Sequence, residues 1–190
     1  MYMHVSTKRL TLLAMMLAIS VICVNLSAMI EMGTLFFLAA GSYLVGVAVL
    51  ETNLAYGVAY YLASVLLSLI LAPNKIYCLT YAAMGAYLLI IEAIQTSLKN
   101  RDLKKLATLN HSDIPQKSRA KQLWLCKFAV FNAIYIPTLI FAPKLIYSGE
   151  LKPVMYLGIF LGGQVALVLY DLAYAEFIVK YWKRIRKNID

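Results

Sequence analysis

Three acids stand inside or at the edge of long apolar runs: Glu92, Asp171 and Glu176. A carboxylate in hydrocarbon is costly, so it either pairs with a cation or handles protons or ions. Counted from Pro153, Asp171 lies about 27 Å along its helix, near the far boundary of a ~30 Å hydrocarbon core. Glu92 and Glu176 fall close to the same boundary. Lys127, at the start of a later apolar run, is a candidate partner for Asp171 or Glu92. Lys180 stands four residues beyond Glu176, the spacing of an ion pair on one helix face. The four residues Glu92, Lys127, Asp171 and Glu176 therefore read as an ion-pair cluster on one side of a membrane, or as a coupling or proton site there.

A second set is suited to hydrogen bonding with a solute. Asn74, Lys75, Tyr77 and Tyr147 fall at the opposite ends of the apolar runs, with Tyr81, Asn132, Tyr135 and Gln164 deeper. Gln164 is about 16 Å from the end of its helix, near mid-membrane. A buried amide needs partners, so it faces protein or a cavity. These side chains suit the walls of a small-molecule pocket. Hydrogen bonding between helices without any ligand accounts for them equally well.

Other chemistries fail on inventory. The two histidines, His4 and His111, lie in polar flanks, so no zinc site at depth is expected. Neither HExxH nor GxxxxGK[ST] occurs, and there is no GxSxG nucleophile motif. The chain is not expected to be an enzyme, to bind a cofactor or to hydrolyse ATP. Cys23, Cys78 and Cys126 have unrelated spacing and suggest no disulfide framework.

The elements that would carry these residues are membrane spans. Of 190 residues, 62% are hydrophobic and 14% charged, against about 25% charged in a soluble domain. Six apolar runs are separated by short breaks, at about 9–30, 34–50, 54–72, 75–97, 124–147 and 154–178. Residues 9–30 read as a retained first span rather than a cleaved signal peptide. The short turns make neighbouring helices antiparallel. Pro137 and Pro143 predict a kink or an early end in the fifth span. The expected fold is all-α: one membrane domain, 1–190, forming a six-transmembrane-helix bundle.

Charge fixes the orientation. The net charge of +9 reads as a positive-inside signal, not as a nucleic-acid footprint. Eight of the eighteen Lys and Arg residues lie between Lys99 and Lys127, in a basic loop at 98–123 and its edge. With both termini cytoplasmic, the inner segments hold fifteen of the eighteen, leaving Lys75, Lys144 and Lys152 outside. Trp124, Tyr147, Tyr181 and Trp182 then sit near the interfaces. Residues 97–109 suit a short amphipathic helix, and the basic loop and tail should attract anionic lipid. The expected location is a bacterial cytoplasmic membrane.

Two stripes of small residues favour close helix approach. Ala14-x-x-x-Ala18 lies in the first span, and Gly158-x-x-x-Gly162-x-x-x-Ala166 in the sixth. Ordinary packing inside the bundle is the simpler reading of both, with Gly163 widening the second stripe.

With both ends inside, six spans and the opening TKRLTLLAMMLAISVI, the chain resembles the substrate-binding S components of energy-coupling factor (ECF) transporters. Ala14 and Ala18 match that family's AxxxA positions. The stretch YYLASVLLSLILAPNKIYCLTYAAMGAYLLIIE is similar to uncharacterised membrane proteins of Gram-positive anaerobes. The resemblance implies that Ala14 and Ala18 contact a coupling transmembrane subunit driven by two cytoplasmic ATPases. It also implies capture of a vitamin or metal near the outer side. The alternative is a non-transport scaffold, similar in outline to the cell-shape protein MreD, whose basic loop and tail dock cytoplasmic partners.

Overall fold

A computed structural model describes residues 7–30, 33–108, 116–141, 153–182 and 184. Every regular element among them is helical: α1 (Thr7–Met29), α2 (Thr34–Glu51), α3 (Leu54–Leu71), α4 (Lys75–Thr108), α5 (Gln116–Phe141) and α6 (Pro153–Glu176). A π-helical turn, Phe177–Trp182, follows α6. Five segments are long and apolar enough to cross a membrane: α1, α2, α3, Lys75–Asn100 of α4, and Gly158–Trp182. The chain is thus an all-α protein with the segments of a multi-pass membrane protein. The fifth expected span, 124–147, runs beyond the described residues; its described part belongs to α5, which continues through Pro137 to Phe141.

Local chemistry sets the element ends. The Asn53 side chain caps α3 by accepting from Tyr56 N at 3.1 Å. Ala72, which precedes Pro73, is extended (φ −73°, ψ 134°), as a residue before proline prefers, and ends α3. The segment read as a basic loop is largely helical. α4 runs unbroken to Thr108 and α5 starts at Gln116. Lys, Arg, Leu and Ala are good helix formers, so nothing stops the helix where its apolar character stops.

The chain divides into two compact units, Met1–Ala133 and Ile134–Asp190. In the first, α1 and α4 both pack on α2, and α3 packs on α1, α2 and α4. α2 is buried from Gly41 through Val49. α2 takes the centre of the unit, with α1, α3 and α4 packed around it.

α3 is built the other way round. Its buried residues are Gly57, Tyr60, Ser64 and Ser68. Its outer surface carries Leu62, Leu66, Leu69 and Ile70, the last 75% exposed. In water this helix would be inverted. In lipid it is correct, because hydrocarbon solvates leucine while hydroxyls need protein partners.

The four helices share a common register. Gly41 lies against Tyr81 and Val45 against Gly85, so α2 and α4 run parallel. Ser20 bonds Gly41 and Thr34 bonds Ser27, so α1 runs antiparallel to α2. The same register puts Lys8 and Arg9, the Thr52–Asn53 turn and Glu92 at one height. α2 has 18 residues, about 27 Å of helix, close to the thickness of a hydrocarbon core. α4 continues sixteen residues past Glu92, about 24 Å beyond that end.

Candidate functional site

The interior of the first unit is a seam of hydroxyls. Ser20 Oγ donates to Gly41 O at 3.1 Å, linking α1 to α2. A serine has one proton to give, so the Tyr60 hydroxyl, 2.7 Å away, donates to Ser20 Oγ and links α3 to α1. Tyr81 Oη donates to Ser64 Oγ at 2.9 Å, linking α4 to α3, and Ser64 donates to Tyr61 O at 2.8 Å. Tyr61 Oη returns to α4 at Ala82 O, 2.9 Å. Cys78 Sγ contacts Ser68 O at 3.2 Å. These chains of donors end on backbone carbonyls, which makes the seam a set of closed links between helices rather than a relay with open ends. Ser68 Oγ, fully buried, has no hydrogen-bond partner among the described residues.

The residues expected to bind a solute fall into this framework in different ways. Tyr81 is fully buried within the seam. Asn74 accepts from Ile76 N at 3.0 Å, stabilising the start of α4. Lys75 Nζ donates to Leu69 O and, at 3.3 Å, to Ala72 O, covering the last carbonyls of α3. Tyr77 packs, half-buried, against the cluster of Val24, Leu38, Ala72, Cys78 and Tyr81. Asn132 donates to Phe128 O at 2.9 Å, within its own helix. Tyr135 and Gln164 belong to the second unit, and Tyr147 lies outside the described residues.

In the second unit Tyr135 Oη donates to Ile159 O at 2.8 Å, and its ring lies over Gly163, where an added Cβ would come within 2.5 Å of it. Gly163 is the seat of that ring. Gly158 and Gly162 meet nothing within 4 Å, and Ala166 is exposed. The stripe expected to pack inside the bundle is therefore left outside the packing of its own unit among the described residues.

The acids are buried: Glu92 is 4% exposed and Asp171 4%, joined by Glu51 at 9%, which the sequence reading did not single out. The contact between Tyr87 and Phe131 (6.4 Å) sets the height of α5 against α4 and brings Lys127, one turn from Phe131, level with Glu92. Lys127 Nζ sits 5.5 Å from the centre of the Trp124 ring. Glu176 pairs with Lys180 at 3.5 Å on an open surface, where an ion pair contributes little. No group of three or more His, Cys, Asp or Glu suited to a metal ion is present among the described residues.

On α1 the buried residues are Leu13, Met16, Ser20, Val21, Val24 and Ser27. Ala14 and Ala18 are exposed, flanked by Met15 (62%), Ile19 (48%) and Ile22 (56%). The AxxxA pair is thus left outside the packing of its own unit. The chain matches no known family model, no curated protein and no solved structure.

Proposed function

We propose that the chain is a membrane-embedded solute-binding subunit like the S component of an ECF transporter, with six spans and both termini cytoplasmic. The outward Ala14–Ala18 face of α1 carries this reading. Two small residues four apart, bordered by exposed Met15 and Ile19, let another helix approach closely. The occupant is a coupling transmembrane subunit, and two cytoplasmic ATPases supply the energy that this chain has no motif to supply. The solute is a small molecule captured toward the end of the unit where Asn74, Lys75 and Tyr77 lie. The buried acid Glu92 of the first unit has a structural role at the cytoplasmic end.

The test is purification of the tagged chain from its native membrane, before and after Ala14→Leu with Ala18→Leu. Recovery of an ATPase pair with the wild type, and its loss with the double variant at unchanged chain abundance, is the expected result. Recovery unchanged by the substitutions removes the coupling face. Co-purification of cell-wall or division proteins instead favours the scaffold reading.

A further inference from the structure

The shared register of the first unit separates its basic residues by height. Lys8 and Arg9, both exposed, are level with Glu92. Lys127 is at that height on α5, its ammonium held over Trp124, and Trp124 is itself 36% exposed. Lys99, exposed, stands seven residues further along α4, about 10 Å. Lys104 and Lys105 stand twelve and thirteen residues past Glu92, about 18–20 Å. The headgroup region adds roughly 5–8 Å to each side of the hydrocarbon core. A lysine stem spans the remaining distance from Lys99 back to the phosphates, as snorkelling side chains do. The α4 backbone at 104–105 lies roughly 10 Å or more past the headgroup region.

We propose that Lys99, Lys127 and Trp124, with Lys8 and Arg9 at the same end, form a belt that binds the headgroups of anionic phospholipid, and that Lys104 and Lys105 take no part in it. The chemistry is complementary. Four cations stand within one lysine length of a phosphate plane, and an indole amid them prefers the same depth. This sharpens the expectation of lipid contact along the whole basic segment, because helical continuation of α4 carries part of that segment past the headgroups. The belt rests on membrane insertion and not on the solute-binding reading.

The test uses the full chain with Trp182→Phe, so that Trp124 is the remaining tryptophan. It is reconstituted in phosphatidylcholine vesicles containing a brominated-chain lipid, either phosphatidylglycerol or phosphatidylcholine at equal mole fraction. Quenching of Trp124 is expected to report a several-fold preference for phosphatidylglycerol. Lys99→Gln with Lys127→Gln should lower that preference by about twofold or more, with Lys8 and Arg9 keeping the remainder. Lys127→Arg should keep it and guards against a folding defect, while Lys104→Gln with Lys105→Gln should leave it unchanged. Absence of a preference in the wild type, or equal loss in the distal pair, would overturn the belt.

Discussion

Small residues recur four apart along these helices, and three of those places are used in opposite ways. On α3, Gly57, Tyr60, Ser64 and Ser68 form a column turned wholly inward. On α1, Ala14 and Ala18 are turned outward, and on α6 Gly158 and Gly162 have open space around them. The difference lies in the hydroxyls. Lipid solvates a methyl or a bare backbone as well as protein does, so alanine and glycine carry no preference for the interior. A hydroxyl does, because hydrocarbon offers it no partner. In α3 the serine and tyrosine hydroxyls fix which face is inside, and Gly57 then lets that face come close.

The largest effect that would sharpen this contrast is at the glycines that are in contact. A Cβ at Gly57 would lie 2.3 Å from a Val49 methyl and 3.2 Å from the Val49 Cα. Gly57→Leu should cost about 3 kcal/mol or more, since both helices are fixed by the two-residue Thr52–Asn53 turn. Gly163→Leu should follow closely, because Tyr135 must leave both its seat and its bond to Ile159 O. Gly158→Ala and Gly162→Ala should be neutral or stabilising by up to about 1 kcal/mol, since alanine is the better helix former. Thermal unfolding midpoints in detergent compare all four. Equal losses at Gly158 and Gly163 would mean that the α6 stripe is packed after all.

Next in size are the hydroxyls. Tyr60→Phe and Tyr81→Phe each delete one link between helices, at about 0.6 kcal/mol on average for such bonds and up to roughly 1.7. Tyr60→Phe leaves Ser20 bonded to Gly41, so its cost should fall at the low end. Tyr81→Phe likewise leaves Ser64 bonded to Tyr61 O, so its cost should be similar. The double variant should show coupling beyond the sum, since both links hold α3. Strict additivity would argue that the seam is a row of independent contacts.

A finer contrast lies within α3 itself. Ser64 accepts from Tyr81 and donates to Tyr61 O, whereas Ser68 Oγ is buried without a partner among the described residues. Ser64→Ala should destabilise, by about 1 kcal/mol, because Tyr81 Oη loses its acceptor. Ser68→Ala should be neutral or slightly stabilising, because it removes a polar atom that gains nothing from burial. Unfolding of the two variants in one detergent decides it. A larger loss at Ser68 would mean that its hydroxyl holds a group of its own, such as a bound water.

Much of this framework was readable in the residues. The breaks at Thr52–Asn53 and Pro73–Asn74 are visible as turn chemistry, and the helix limits fall within two residues of the expected spans on α2 and α3. The α3 column was also visible, as polar and small residues recurring at helical spacing in an otherwise apolar run. It was missed because the expected signal was an apolar stripe, and lipid inverts that signal. Helix over 97–109 was readable in the residues, which are mostly good helix formers; what the charge hid is that it continues α4 without a break to Thr108. The different fates of Gly158 and Gly163 were not readable, because they depend on where Tyr135 of another helix lands. Nor did sequence show that Asn74 and Lys75 hold helix ends, since the same types at the same place also suit a ligand.

The smallest stability effect is expected where the functional effect is largest. Ala14 and Ala18 point away from Leu13, Met16 and Ser20, so enlarging them adds atoms to a surface that the rest of the first unit does not cover. Ala14→Leu with Ala18→Leu should leave the unfolding midpoint of the isolated chain within about 0.5 kcal/mol of wild type. Any helix docked on that face would be pushed outward, since close approach depends on small residues there. A stable variant that loses its partner therefore points to the surface rather than to the fold. If the isolated variant is destabilised instead, that face packs within the chain, and the α1 contrast with α3 fails along with the coupling role.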